Sequence, residues 1–194
     1  MRIIAGKWKS RRIARPPTSG TRPYPDRVRE AVFSILGSQL NTGGMLDGLT
    51  VADVFAGSGG MGLEALSRGA STCWFFEQGR VAQQTLRSNI DALDAAAQSE
   101  IVGGNAWQLL VPIVRQHPVE VVFLDPPYAQ STDPTQAGRV GRLLAALQPL
   151  SPRCHVILHH EAKVVYTALD VAAWNIVDQR GYGGNGITIF SHEV

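Results

Sequence analysis

Asp125-Pro126-Pro127-Tyr128 follows the apolar run VEVVFL at 119–124. Two prolines directly after a buried strand hold the backbone extended and remove two N–H donors. What remains at that tip is acceptor-only: the Asp125 carboxylate and the carbonyls around Pro126. Tyr128 adds a flat aromatic face. An exocyclic amine on a nucleobase is a poor nucleophile, because its lone pair is delocalised into the ring. Two acceptors holding its hydrogens favour a pyramidal nitrogen whose lone pair can attack an activated methyl group. Catalysis of that kind is positioning and electrostatics rather than strong base chemistry. Asp125 or water would take the proton afterwards, and Tyr128 would stack on a base that is flipped out or unpaired. An isolated Asp-Pro-Pro is equally a rigid turn at a strand end, so its meaning depends on what precedes it.

What precedes it is Asp53-Val54-Phe55-Ala56-Gly57-Ser58-Gly59-Gly60-Met61-Gly62. This stretch leaves a buried-type strand and enters a helix, where a doubly wound sheet opens its ligand crevice. Gly57, Gly59 and Gly62 would let the backbone pass close beneath a ligand that a side chain would block. Glu77 ends the next strand, placed for a carboxylate to accept both ribose hydroxyl protons, and Asn105 follows the third strand, placed to meet an adenine edge. The pattern is literally G-x-G-x-x-G, so a dinucleotide and hydride transfer compete with it. Two features favour S-adenosylmethionine instead. Asp53 lies inside the strand before the turn, where it can hold the turn or the amino-acid part of a sulfonium cofactor. The Asp125 motif has no part in hydride transfer.

The elements that must carry these groups alternate. Strands are expected at 50–56, 72–77, 100–102, 119–125 and 155–159, and helices from Asp26 until Asn41-Thr42-Gly43-Gly44, from the Gly-rich turn through Arg68, and at 81–93, 107–115 and 138–147, with Asp26 as the N-cap of the first. Strands at 174–182 and 186–191, joined by Gly183-Gly184-Asn185, form a closing hairpin. The expected fold is therefore α/β: a doubly wound, mostly parallel seven-stranded sheet with an antiparallel C-terminal hairpin. Residues 1–15 read as two short basic strands around Gly6-Lys7, and Pro16, Pro17, Gly20, Pro23 and Pro25 make an irregular connection. The domain reading is an arm at 1–25 and a methyltransferase domain at 26–194.

The net charge of +2 hides an asymmetry. Residues 1–30 hold nine Lys/Arg against Asp26 and Glu30, and the remaining chain is net acidic. A localised basic segment suggests an arm that meets phosphates. Ile3, Ile4, Trp8 and Ile13 interleave with the charges, as in a packed hairpin rather than a solvated tail. Cys73 and Cys154 lack metal-type spacing and read as buried thiols in a reducing cytosol. No apolar run approaches a membrane span and 1–15 has charges where a signal peptide needs an apolar stretch, so no membrane partner is expected and the localisation is read as cytoplasmic. His159-His160-Glu161 is no metal site on a strand, because neighbours point to opposite faces. No metal is expected, and a monomer is favoured.

The opening Arg2-Ile3-Ile4-Ala5-Gly6-Lys7-Trp8, then Arg22-Pro23 before Asp26-Arg27-Val28-Arg29-Glu30, then FAGSGGMGLEALSRGA and DPPY, together resemble the RsmD-like family of bacterial methyltransferases that modify a guanine N2 amine in small-subunit ribosomal RNA. The resemblance runs over nearly the whole chain and is weakest after residue 165. It implies a Rossmann-like S-adenosylmethionine-dependent fold. Cofactor contacts are implied from Phe55, Ala56, Gly57, Ser58, Gly59, Glu77 and Asn105, beside Asp53 and Asp125, and catalysis at Asp125, Pro126, Pro127 and Tyr128. Small-subunit ribosomal RNA, naked or in a partly assembled subunit, would meet Arg2, Lys7, Trp8, Lys9, Arg11, Arg12, Arg22, Arg27 and Arg29. Tyr24-Pro25 stands where small hydroxyl residues are usual and Lys9-Ser10 where Arg-Gly is more typical, changes that bear on substrate contact rather than chemistry.

Three other functions stay open at this level. A DNA adenine-N6 methyltransferase shares the loop and tip but normally needs a target-recognition domain, for which no insertion is long enough. A protein-glutamine methyltransferase typically has Asn at the position of Asp125 and leaves the basic arm unexplained. A non-catalytic RNA-binding assembly protein would be expected to show a damaged loop or tip.

Overall fold

The computed structural model describes residues 1–17, 25–147, 154–167 and 174–191. The order of elements is α1 (Asp26–Gln39), β1 (Thr50–Val54), α2 (Gly60–Ser67), β2 (Thr72–Glu77), α3 (Arg80–Ala92), β3 (Ser99–Gly103), α4 (Ala106–Gln116), β4 (Val121–Leu124), α5 (Arg139–Leu147), β5 (His155–Glu161), β6 (Asn175–Tyr182) and β7 (Asn185–Ser191). The strands form one seven-stranded sheet of order β3-β2-β1-β4-β5-β7-β6. The doubly wound sheet closed by an antiparallel hairpin is thus as expected. Two compact units divide the chain, Met1–Ala106 and Trp107–Val194. The arm expected at 1–25 is bonded into the first of these units through α2 and α3.

In the first unit β1, β2 and β3 are parallel, with Asp53 level with Phe75 and Glu77 level with Gly103. Central parallel strands are covered on both faces, which is why TVADV is almost wholly buried. In α1 the periodic residues Val28, Val32, Phe33, Ile35 and Leu36 are buried. Asp26 is not its N-cap, a correction: Pro25 holds that position and no side chain caps the helix. Asp26 is instead its first residue, where its carboxylate suits the helix dipole and pairs with Arg29 at 2.7 Å and Arg2 at 3.3 Å.

The N-terminal segment corrects a second expectation. It forms a single antiparallel bridge, Arg2 to Arg12, rather than two strands. The reason is where its backbone donors go. Ile4 and Ala5 donate their N–H groups to the Glu64 carboxylate at 2.7 and 3.0 Å, Lys7 N donates to the Ser67 carbonyl at 2.8 Å, and Trp8 N to Ser67 Oγ at 3.0 Å. Donors that would extend a ladder are taken by α2. This covering also explains why α2 is buried from Met61 through Ser67, including Glu64.

In the second unit β4 and β5 pair in parallel, and β5, β7 and β6 are antiparallel neighbours. The β6–β7 turn is Gly183-Gly184, with Gly183 at φ +62° as a tight hairpin requires. Among the described residues no helix is long and apolar enough to cross a membrane.

Candidate active site

The first unit carries the loop that follows β1. Phe55 sits at φ +67°, a conformation bulky side chains avoid and one that clusters at functional loops. The Gly59 N–H donates to the Ala56 carbonyl at 2.8 Å, closing a tight turn. The buried Asp53 carboxylate accepts the Gly62 N–H at 2.8 Å and so holds the start of α2. Of its two expected roles, this is the one the described contacts display.

The three glycines differ. A Cβ on Gly62 would overlap the Phe75 ring and Cys73 Sγ, and one on Gly59 would press on Leu86. These two are glycine because helix and strand pack closely, which corrects the expectation that a ligand requires all three. Gly57, at φ +57°, has no heavy atom within 4 Å of where its Cβ would stand. The cradle that a Cβ would fill is therefore at Gly57.

Glu77, at the end of β2, accepts the Gly57 N–H at 2.9 Å and the Gly79 N–H at 2.6 Å. Each carboxylate oxygen has a second lone pair, so Glu77 can fix the loop and still accept ribose hydroxyl protons. Asn105 is exposed just past β3. Loop, carboxylate and amide thus lie at the carboxyl ends of three adjacent strands, where open α/β sheets bind ligands. This arrangement fits S-adenosylmethionine. Asn89 of α3, buried, donates to the Ser58 carbonyl at 2.9 Å and exchanges two hydrogen bonds with the Ala14 backbone at 2.8 and 3.0 Å, tying the loop to the N-terminal segment. Sequence reading missed it; its only signal was an amide on the apolar face of a helix.

The second unit carries the tip. β4 is buried at every position and ends at Leu124. Pro126 is buried, Pro127 exposed with φ −50° and ψ 133°, and Tyr128 begins a 3-10 turn. The parallel register sets Leu124 beside Leu158, so Asp125 comes level with His159. Asp125 Oδ1 lies 2.7 Å from His159 Nδ1. His159 Nε2 is 3.2 Å from the Tyr128 hydroxyl and 3.0 Å from Asn185 Oδ1, and Tyr128 donates to Asn185 Oδ1 at 3.0 Å. The Tyr128 and His159 rings meet edge-on, 5.5 Å between centroids. The Asp125 side chain is 28% exposed and that of His159 only 2%.

Burial alone would lower the His159 pKa, but the hydrogen bond and charge of Asp125, with the bond to Asn185, carry it above its ordinary value. His160 on the opposite face bonds Thr188 Oγ1 at 2.8 Å, and burial and the neighbouring His159 lower its pKa. Sequence reading set aside the His pair as a non-metal feature and read Asn185 as a turn residue, although the alternation it used already turns one histidine toward the tip. Among the described residues no group of three His, Cys, Asp or Glu is placed to hold a metal ion.

Among the predicted RNA contacts, Arg2, Lys7, Lys9, Arg11, Arg12 and Arg27 are exposed, and Arg22 lies outside the described residues. Met1, Arg2, Arg12, Arg15 and Asp26 line an open hollow of about 530 Å³. Two expectations are corrected by burial. Arg29 is 0% exposed and braces Asp26 at 2.7 Å and the Arg2 carbonyl at 2.6 Å. Trp8 is 8% exposed, with the Lys7 ammonium 4.2 Å from its ring centroid. Neither side chain is presented to a ligand. Cys73 and Cys154 are unpaired and buried, and burial, with the Asp53 charge, pushes the Cys73 thiol pKa up.

Known proteins resemble this arrangement. The family model described as conserved hypothetical protein 95 matches residues 1–191. YlbH of Bacillus subtilis is 31% identical over 98% of both chains. The ribosomal RNA small subunit methyltransferase D of Escherichia coli is 38% identical over 128 residues, 66% of this chain and 60% of that protein. The alignment thus spans less than two thirds of that enzyme's own length. Among solved structures, that of E. coli yhhF covers 100% of this chain and 98% of its own, with TM-score 0.74 and 28% identity. An RNA methyltransferase from Salinibacter ruber, in complex with S-adenosyl-L-homocysteine, shares the fold at TM-score 0.62 and 15% identity, over 89% of this chain and 94% of that one. The match over 191 residues and the end-to-end similarity to YlbH lead to one conclusion: the chain belongs to the RsmD-like methyltransferase family.

Proposed function

We propose that this protein methylates ribosomal RNA and that its product is N2-methylguanosine in the small subunit. The observation that carries the reading is the acceptor-only tip, with Asp125 fixed by His159 and Tyr128 beside it. Membership of the RsmD-like family supports the substrate class. S-adenosylmethionine, when bound, supplies a methyl group activated on a sulfonium. The chain's own residues do the rest. Glu77, the backbone around Gly57 and Asn105 hold and orient the cofactor. The Asp125 carboxylate and the Pro126 carbonyl accept the two hydrogens of the guanine amine, which localises its lone pair for in-line attack. Tyr128 stacks on the base, and Asp125 or water removes the proton that methylation makes acidic. Arg2, Lys7, Lys9, Arg11, Arg12 and Arg27 contact phosphates, which position the RNA without specifying its sequence. The setting is the cytoplasm, and the substrate is ribosomal RNA, naked or in a partly assembled subunit.

The test is methyl transfer from labelled S-adenosylmethionine to unmodified small subunits, naked ribosomal RNA and duplex DNA, followed by digestion to nucleosides and mass spectrometry. N2-methylguanosine from a ribosomal substrate is the expected product. N6-methyladenine in DNA, or no transfer at all, would overturn the reading. Asp125→Ala is expected to lose about 100-fold or more in turnover while keeping its cofactor affinity in calorimetry.

A further inference from the structure

We infer that His159, backed by Asn185, is a positioning residue for the acceptor tip, holding Asp125 and Tyr128 in one hydrogen-bonded frame. The inference rests on the methyl-transfer reading for its consequence, but the frame itself can be measured without it.

The direction of each hydrogen bond follows from what each group can do. Asn185 donates its amide N–H to the Tyr182 carbonyl at 3.2 Å, which turns Oδ1 toward the imidazole. Asp125 Oδ1 and Asn185 Oδ1 are both acceptors, so the two ring nitrogens of His159 both carry hydrogen in this arrangement. Tyr128 gives its own hydrogen to Asn185 Oδ1. His159 is then an imidazolium between a carboxylate and a neutral amide, and its raised pKa agrees.

Loss of the Nε2 hydrogen leaves a lone pair 3.2 Å from the Tyr128 hydroxyl, which can turn its hydrogen onto it. The Nδ1–H bond to Asp125 survives in either state. Asp125 Oδ1 therefore stays engaged, which leaves Oδ2 as the oxygen to accept from an amine. Among the described residues, the titratable groups facing the ring are Asp125 and Tyr128 from the segment after β4; His160, its neighbour on β5, points to the other face and acts on it only through charge, and β7 contributes the neutral Asn185.

Two substitutions separate positioning from plain packing. His159→Asn keeps an N–H donor near the Nδ1 position, whereas His159→Leu removes both donors at similar volume. His159→Leu is expected to lower kcat about 100-fold with cofactor affinity unchanged, and His159→Asn to recover most of that loss. The wild-type kcat–pH profile is expected to show an ionisation above the ordinary histidine value that disappears in His159→Asn. Histidine ring NMR supplies the readout independent of activity: the doubly protonated His159 ring should persist above pH 6.5 and titrate lower in Asp125→Asn.

Wild-type kcat in His159→Leu, or no recovery in His159→Asn, would overturn the positioning role. A ring that titrates identically with and without the Asp125 charge would overturn the frame, whatever the activity. Absence of transfer by the wild-type protein would sink the methyl-transfer reading, and the NMR titration alone would then decide the frame.

Discussion

At Gly57 the backbone stands at φ +57° over open space, whereas side chains of Leu86 and Leu63 crowd the equivalent direction at Gly59, and those of Phe75 and Cys73 at Gly62. Gly57→Ala is accordingly expected to weaken S-adenosylmethionine binding in calorimetry, with a stability loss of only about 1–2 kcal/mol from the left-handed backbone. Gly62→Ala is expected to do the reverse, destabilising the fold by about 1–3 kcal/mol in denaturant melts through overpacking against Phe75 and Cys73. A second prediction concerns His159. Its folded pKa lies above 6.5, so the stability it contributes is complete below that pH and is lost as pH rises through the folded value. Thermal melts from pH 6.5 upward should show that decline in the wild type and a weaker one in Asp125→Asn. Spacing in the sequence picked out Asp53, Glu77 and Asp125, because each follows or ends an apolar run. It could not rank the glycines or find His159, since both depend on which atoms other elements bring alongside.

Helix α2 is the element on which the first unit turns. Its N-terminal end is held by Asp53, and its second half receives the N-terminal segment through Glu64 and the terminal Ser67. Glu64 is fully buried and also accepts from Arg68 Nε at 2.8 Å. Glu64→Ala would leave the buried Arg68 guanidinium without its carboxylate, and we expect a loss of about 3–5 kcal/mol by equilibrium unfolding. Asn89→Ala removes three hydrogen bonds made by a buried side chain; amide hydrogen exchange around residues 14 and 58–59 should accelerate. Strands and helices were legible to within a few residues because their apolar periods are strong. The docking of the arm was not. Glu64 and Ser67 look like solvent-facing residues of a helix, and their partners stand about sixty positions away.

For the whole molecule, the excess of positive charge in the first thirty residues survives folding as a set of exposed arginines and lysines, of which Arg2, Arg12 and Arg15 line one hollow. Arg12→Ala is expected to weaken RNA binding and flatten its dependence on salt by about one unit of logarithmic slope. Arg29→Ala, though drawn from the same basic segment, should leave that slope alone and lower the melting temperature, because its guanidinium is consumed inside. Composition revealed the charge but not which cations had been spent on the fold. The anchoring of Ile4 and Ala5 by Glu64, and of Ala14 by Asn89, also sets an order of events during synthesis. The basic stretch is translated before the side chains that fasten it, which follow some sixty to seventy-five residues later. At about 5–20 residues per second several seconds separate the two, so the polycationic stretch lacks its full set of fasteners until α3 has been made.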